Sequence, residues 1–146
     1  MLAQQALDRR DKEDRTSVGQ LLWEKVTLGL ALVRMEKGDE AIEHLDFANS
    51  RGMGWCYNIV PMFAMAGLIE YQYHEAMKIS RKLERQEKLS RTDFIYKQYC
   101  KSDPVNQFQI PAAEAHLAMA RVHLARREHE DANNLALMAF KIADGQ

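Results

Sequence analysis

The chain has 146 residues, 47% hydrophobic and 28% charged, a globular mixture that excludes global disorder. Seven glycines and 3 prolines punctuate it too sparsely for many short strands and favour long helices. Its 20 basic and 21 acidic residues leave a formal net charge of -1, without the Lys and Arg excess on which nucleic-acid affinity rests.

In chain order, charges at Asp8, Arg9 and Arg10 arrive too early for the apolar core of a signal peptide. Residues 2–10 read as a short helix, followed by a charged stretch over 11–15. Thr16 or Ser17 is placed to cap the next helix. Residues 21–35 carry a helical apolar pattern in Leu22, Val26, Gly29, Leu30 and Val33, which Lys37-Gly38-Asp39 breaks. Residues 40–50 are helical again, and Arg51-Gly52-Met53-Gly54 reads as a loop. Pro61 suits the first turn of a helix that runs to about Tyr71. A turn near 72–74 leads into a helix from Glu75, which Ser90 or Thr92 divides. Residues 101–109, with Pro104, form a connector; Pro111 opens a helix to about Arg127, and 130–143 close the chain.

No strand-like alternation runs longer than a few residues. The longest apolar run, 59–69, contains Pro61 and is far short of the about 20 residues a spanning helix needs. Cys56 and Cys100 form no CxxC pair, and two free thiols suit a reducing compartment. The expectation is one soluble, cytoplasmic, all-α domain over 1–146.

Three windows share a pattern. A small residue precedes an alanine by twelve positions in Gly29 to Ala41, Ala64 to Ala76 and Ala120 to Ala132. The phrases before the alanines also agree: Lys-Gly-Asp-Glu-Ala41, Gln-Tyr-His-Glu-Ala76 and Glu-His-Glu-Asp-Ala132. Small residues let paired helices cross closely, and acidic residues suit the first turn of the second helix. With Leu28-Gly29, Leu32, Ala41, Leu45 and Ala48 at signature spacing, the chain resembles the tetratricopeptide repeat, a helix–turn–helix unit. The second and third windows depart at Gly67, Ser80, His123 and Ala136, where the family has large residues. The units are expected at about 22–55, 57–90 and 113–146, with an insertion at about 91–112.

The resemblance implies a protein–protein interaction module, an adaptor or scaffold, that takes a peptide or amphipathic helix into a groove lined by the first helix of each pair. The aligned positions are Trp23, Val26, Thr27, Leu30 and Val33; Asn58, Met62, Met65 and Leu68; and Glu114, Leu117, Ala118 and Arg121. Val26 and Leu30 stand where carboxylate-clamping members use polar residues, so the groove is apolar and methionine-rich, which suits an adaptable helix site. The alternative function is the ligand-sensing or oligomerisation segment of a larger signal-responsive transcription regulator, whose helical repeats residues 117–132 resemble. The last helix keeps Leu137 and Phe140 among apolar residues spread around much of its surface. With Phe94, Ile95 and Tyr99, they are candidates for self-association or for docking onto the rest of a longer chain.

Chemistry is sparse in the sequence. His116 and His123 lie two helical turns apart with no Cys or carboxylate completing a metal site, and they read as partly exposed surface histidines. Gly52-Met53-Gly54 lacks the third glycine and the preceding strand of a phosphate loop. No catalytic residue, cofactor or metal is expected. Residues 78–91 carry a basic stripe, read first as a solvated face laced with pairs such as Glu84–Lys88 and second as a dock for an acidic partner.

Overall fold

The computed structural model describes residues 2–52 and 59–145, which form six helices and no strand. They are α1 (Leu2–Arg34), α2 (Gly38–Gly52), α3 (Ile59–Met77), α4 (Lys82–Ser102), α5 (Gln109–Ala125) and α6 (His129–Ala143). Helix α1 packs on α2, α3 on α4, and α5 on α6. In addition, α3 lies against both helices of the first hairpin and α5 against both helices of the second. Among the described residues, the backbone of α6 comes close to that of α5 alone.

Two apolar clusters meet on α3. Val60, Ala64, Leu68 and Tyr71 face α1 and α2, packing with Leu22, Val26, Val33, Ala41, Leu45 and Ala48. Met62, Met65, Ala66, Ile69 and Ala76 face the other way, toward Leu89, Tyr99, Ala112, Ala115, Met119 and Val122. A helix that is apolar all round belongs in an interior, and α3 is buried over most of its surface. Full burial of side chains such as Leu45 and Ile69 stabilises by about 1.5–3 kcal/mol each.

The first and third hairpin turns have the same geometry. Glu36 and Arg127 both take positive φ, 60° and 63°. The Glu36 amide donates to Val33 O and the Lys37 amide to Leu32 O; the Arg127 amide donates to Leu124 O and the Glu128 amide to His123 O. Each turn thus has one bond reaching back three residues and one reaching back five, the paired bonds of a Schellman helix end. The alanine amides close both turns alike, Ala41 onto Lys37 O and Ala132 onto Glu128 O.

The second window differs. The turn expected at 72–74 is absent: Gln72 is buried within α3, which continues to Met77. Ala64 and Ala76 therefore share one helix, and the real break is at 78–81. Helix α4 is undivided, because the hydroxyls of Ser90 and Thr92 donate back to the carbonyls of Glu87 and Leu89 instead of capping a new helix. The unit boundary at 90 thus falls inside α4. Residues 91–102 are its second half, and the link to α5 is only 103–108.

Two further boundaries move. The expected break at 11–15 is absent and α1 runs for 33 residues, since Lys, Glu and Arg are good helix formers and no Gly or Pro precedes Gly19. Helix α2 includes Arg51 and Gly52. Met53, Gly54, Cys56 and Asn58 lie outside the described residues.

Candidate docking groove between α5 and α6

The short link before α5 is fastened from within. The buried Asp103 carboxylate accepts the amides of Gln107 at 2.7 Å and Phe108 at 3.2 Å. Asn106, at φ 54°, uses the left-handed region that asparagine tolerates. Its Oδ1 lies 2.8 Å from His116 Nε2, and the Tyr96 hydroxyl lies 2.7 Å from His116 Nδ1. A neutral imidazole that donates from Nε2 and accepts at Nδ1 satisfies both bonds. His116 is buried rather than partly exposed as its sequence position suggested, and burial pushes its pKa down while Asp103 pulls it back up.

This fastening holds α5 against α3 and leaves its other side to α6. Between α5 and α6 runs a groove of about 310 Å³, lined by Ala113, Glu114 and Leu117 from one helix and Ala136, Ala139, Phe140 and Ala143 from the other. Alanines make its floor, so a third backbone can approach closely. Leu117 and Phe140 rise at its sides, 44% and 65% exposed. One rim is tied to α1 by the Arg34–Glu114 ion pair at 2.8 Å.

Six of the residues aligned to a groove along the first helices are instead core. Val26, Val33, Met62, Met65, Leu68 and Ala118 are all nearly inaccessible. They face neighbouring helices, so a partner cannot reach them without repacking. Leu30 is half-buried, its Cδ2 against Gly67. Trp23 stays exposed beside Phe63, ring centroids 5.9 Å apart, and Thr27 is also exposed. Glu114 is half-buried, and Arg121, exposed, reaches toward Glu70 at 3.9 Å. Of the aligned positions, Glu114 and Leu117 alone border the α5–α6 groove.

The self-association candidates divide similarly. Leu137, Phe140 and Phe94 are exposed, Ile95 is half-buried, and Tyr99 is wholly buried with its phenol pKa pushed up, chiefly by burial. Tyr99 faces the cluster beneath α3 and α5, where it cannot meet another chain.

The fold also brings carboxylates to His123 that sequence distance concealed. Ligand atoms of His123, Glu128 and Asp131 lie within 4.8 Å of one another. Arg126 Nε stands 3.9 Å from Glu128 Oε1, and the positive end of α6 opposes a cation there. The arrangement reads as a turn in which His123 Nδ1 lies 3.6 Å from Glu128 Oε2. In the basic stripe, the Glu84–Lys88 pairing is not formed: Glu84 holds Arg81 at 3.2 Å, Glu75 holds Lys78 at 2.7 Å, and Lys88 lies over the Tyr71 ring. No helix of the described residues is long and apolar enough to cross a membrane.

Comparison with protein-family models, with curated proteins and with solved structures returns no match.

Proposed function

We propose that the chain is a protein-interaction module built of tetratricopeptide-like hairpins, and that its α5–α6 groove takes an amphipathic helix of another protein. The observation that carries this reading is the groove itself, an alanine floor between exposed Leu117 of α5 and Phe140 of α6, a helix whose backbone, among the described residues, neighbours only α5. Two troughs in the same molecule are filled by a helix: α3 on the first hairpin and α5 on the second. The α5–α6 pair offers a third trough of the same kind. The twin turns at Glu36 and Arg127 support the repeat reading, with the middle unit redrawn as 59–102 in place of 57–90 plus an insertion.

By the same logic, the occupant presents apolar residues at helical spacing to the trough and polar residues outward. Site-specific photocrosslinkers at Leu117 and Ala136, with the captured peptides sequenced, test the reading. Crosslinks concentrated on one amphipathic segment of another protein, lost in Phe140→Glu while helicity is retained, are expected. Crosslinks only to a second copy of this chain, or capture undiminished by both Phe140→Glu and Leu117→Glu, would overturn it.

A further inference from the structure

A second cavity, of about 380 Å³, lies where the first turns of α4 meet the last turn of α5. Lys82, Arg85, Arg126 and Arg127 surround it over a floor of Leu89 and Ala125, and no carboxylate lines it. Like charges gathered around one hollow repel one another and raise its positive potential, which favours an anion there. One of the four is already answered. Asp93 takes Arg126 in a two-point grip, Nη1 to Oδ1 at 2.9 Å and Nη2 to Oδ2 at 2.7 Å, and Nη2 also donates to Leu89 O. Arg126 therefore braces the wall.

The other three are uncommitted. Arg85 spends its Nε on Ile79 O at 2.9 Å, which fixes the guanidinium and leaves its two terminal nitrogens. Among the described residues, Lys82, Arg85 and Arg127 have no carboxylate within ion-pair distance. Of the nearby acids, Glu84 pairs with Arg81, while Asp93 and Glu128 lie against Arg126, the residue already braced.

We propose that this cavity binds a phosphate monoester. A lone carboxylate would leave most of the three-cation charge unanswered, whereas a phosphate ester carries about -1.5 to -2 and offers three strong acceptor oxygens. Guanidinium forks match those oxygens in geometry as well as charge. The volume exceeds what the anion fills, and Leu89 and Ala125 give its carbon-bearing carrier an apolar seat. The ester's carrier is either a protein side chain or a small molecule, since both present the same headgroup. The cavity sits at the opposite end of α5 from the alanine groove, and the inference does not depend on the groove having an occupant.

The test is a titration of the full chain, followed by amide chemical shifts, at ionic strength held constant with sodium chloride. The probes are inorganic phosphate, a blocked phosphoserine amide and glycerol 3-phosphate. Saturable shifts at Gln86, Leu89 and Arg127 are expected. The double variant Lys82→Gln, Arg127→Gln should weaken the apparent affinity by about tenfold or more, since each lost charged hydrogen bond is worth roughly that factor. The charge-matched double Arg91→Gln, Lys97→Gln, also exposed on α4 but outside the cavity, should leave it unchanged. All four residues are exposed, and circular dichroism checks that both doubles remain folded. Tighter binding of the phosphoserine amide assigns the ester to a protein; tighter binding of glycerol 3-phosphate assigns it to a small molecule. Shifts that fail to saturate, or that fall equally in both double variants, would overturn the proposal.

Discussion

Gly29 and Leu45 are packed so closely that a Cβ on the glycine would lie 2.7 Å from Leu45 Cδ2 and 2.8 Å from its Cγ. Leu45 is fully buried between α1, α2 and α3 and has no room to yield. In an open helix Gly→Ala stabilises by about 1 kcal/mol. At position 29 the overpacking, typically about 1–3 kcal/mol, outweighs that gain. Gly29→Ala should lower stability by about 1 kcal/mol in urea denaturation. Gly67→Ala should cost less, because its closest contact is Leu30 Cδ2, the tip of a half-buried side chain, and Leu45 stands farther off, at 3.2 and 3.3 Å. A variant at position 29 more stable than the parent would show that Leu45 can move.

Ala41 makes the complementary point from α2. It is fully buried, and its amide closes the first turn on Lys37 O. Ala41→Leu adds volume at a packed crossing and should destabilise by about 1–3 kcal/mol. An unchanged thermal melt would place residue 41 at a surface.

How far these features are legible in the sequence depends on the turn. The first and third hairpins announce themselves through Lys37-Gly38-Asp39 and Arg126-Arg127-Glu128, each followed by acidic residues and an alanine at twelve from the small residue. The middle break at 78–81 contains Lys, Ile, Ser and Arg, with neither glycine nor proline. Tertiary packing decides it instead: Gln72 and Ala76 are buried and hold α3 helical through the turn expected at 72–74. The apolar positions of α3 were legible, but period alone cannot separate groove from core in a helix that is apolar around most of its surface. Phe140 was singled out for self-association, while its groove neighbour Ala136 showed only as a departure from the family's large residue, because an alanine floor matters only once two helices are set side by side. The basic cavity was half visible: Lys82 and Arg85 share a stripe, and the fold adds Arg126 and Arg127 from a distant helix.

Met65 separates the two roles sharply. Only 3% exposed in the cluster shared by α3, α4 and α5, it acts as core rather than as part of a docking surface. Met65→Ala should cost about 2–5 kcal/mol through the cavity it leaves, and Met65→Glu should lose cooperative unfolding. Full helicity and an unaltered melt for Met65→Glu would return this position to the surface.

His116 makes stability depend on pH. Its folded pKa lies below the ordinary 6.5, burial being the main cause and Asp103 opposing it. The unfolded chain therefore binds a proton in a range where the folded chain resists one. The contribution is fully present above about pH 6.5 and is lost as pH falls from there through the lower folded value. Urea midpoints should drop between pH 7.5 and pH 5.5, and His116→Phe should flatten that part of the slope. The variant should also be less stable at every pH, since Tyr96 and Asn106 lose their shared partner. A slope unchanged by the substitution would assign the pH dependence to other groups.

The exposed faces of α4 and α6 give the last prediction. Phe94 is 68% exposed on α4 and Phe140 65% exposed on α6, and among the described residues the backbones of these two helices do not come close. An exposed aromatic alone is common; what distinguishes Phe140 is the alanine groove beside it, with Leu117 opposite. Self-association, where it occurs without another occupant, should therefore run through the α5–α6 groove and not through α4. In sedimentation equilibrium at high concentration, Phe140→Lys should shift the chain toward monomer and reduce its binding of an apolar dye. Phe94→Lys should leave the association constant within about a factor of two, an effect of the size expected for a surface substitution away from such features. If Phe94→Lys dissociated the chain and Phe140→Lys did not, the contact would belong to α4.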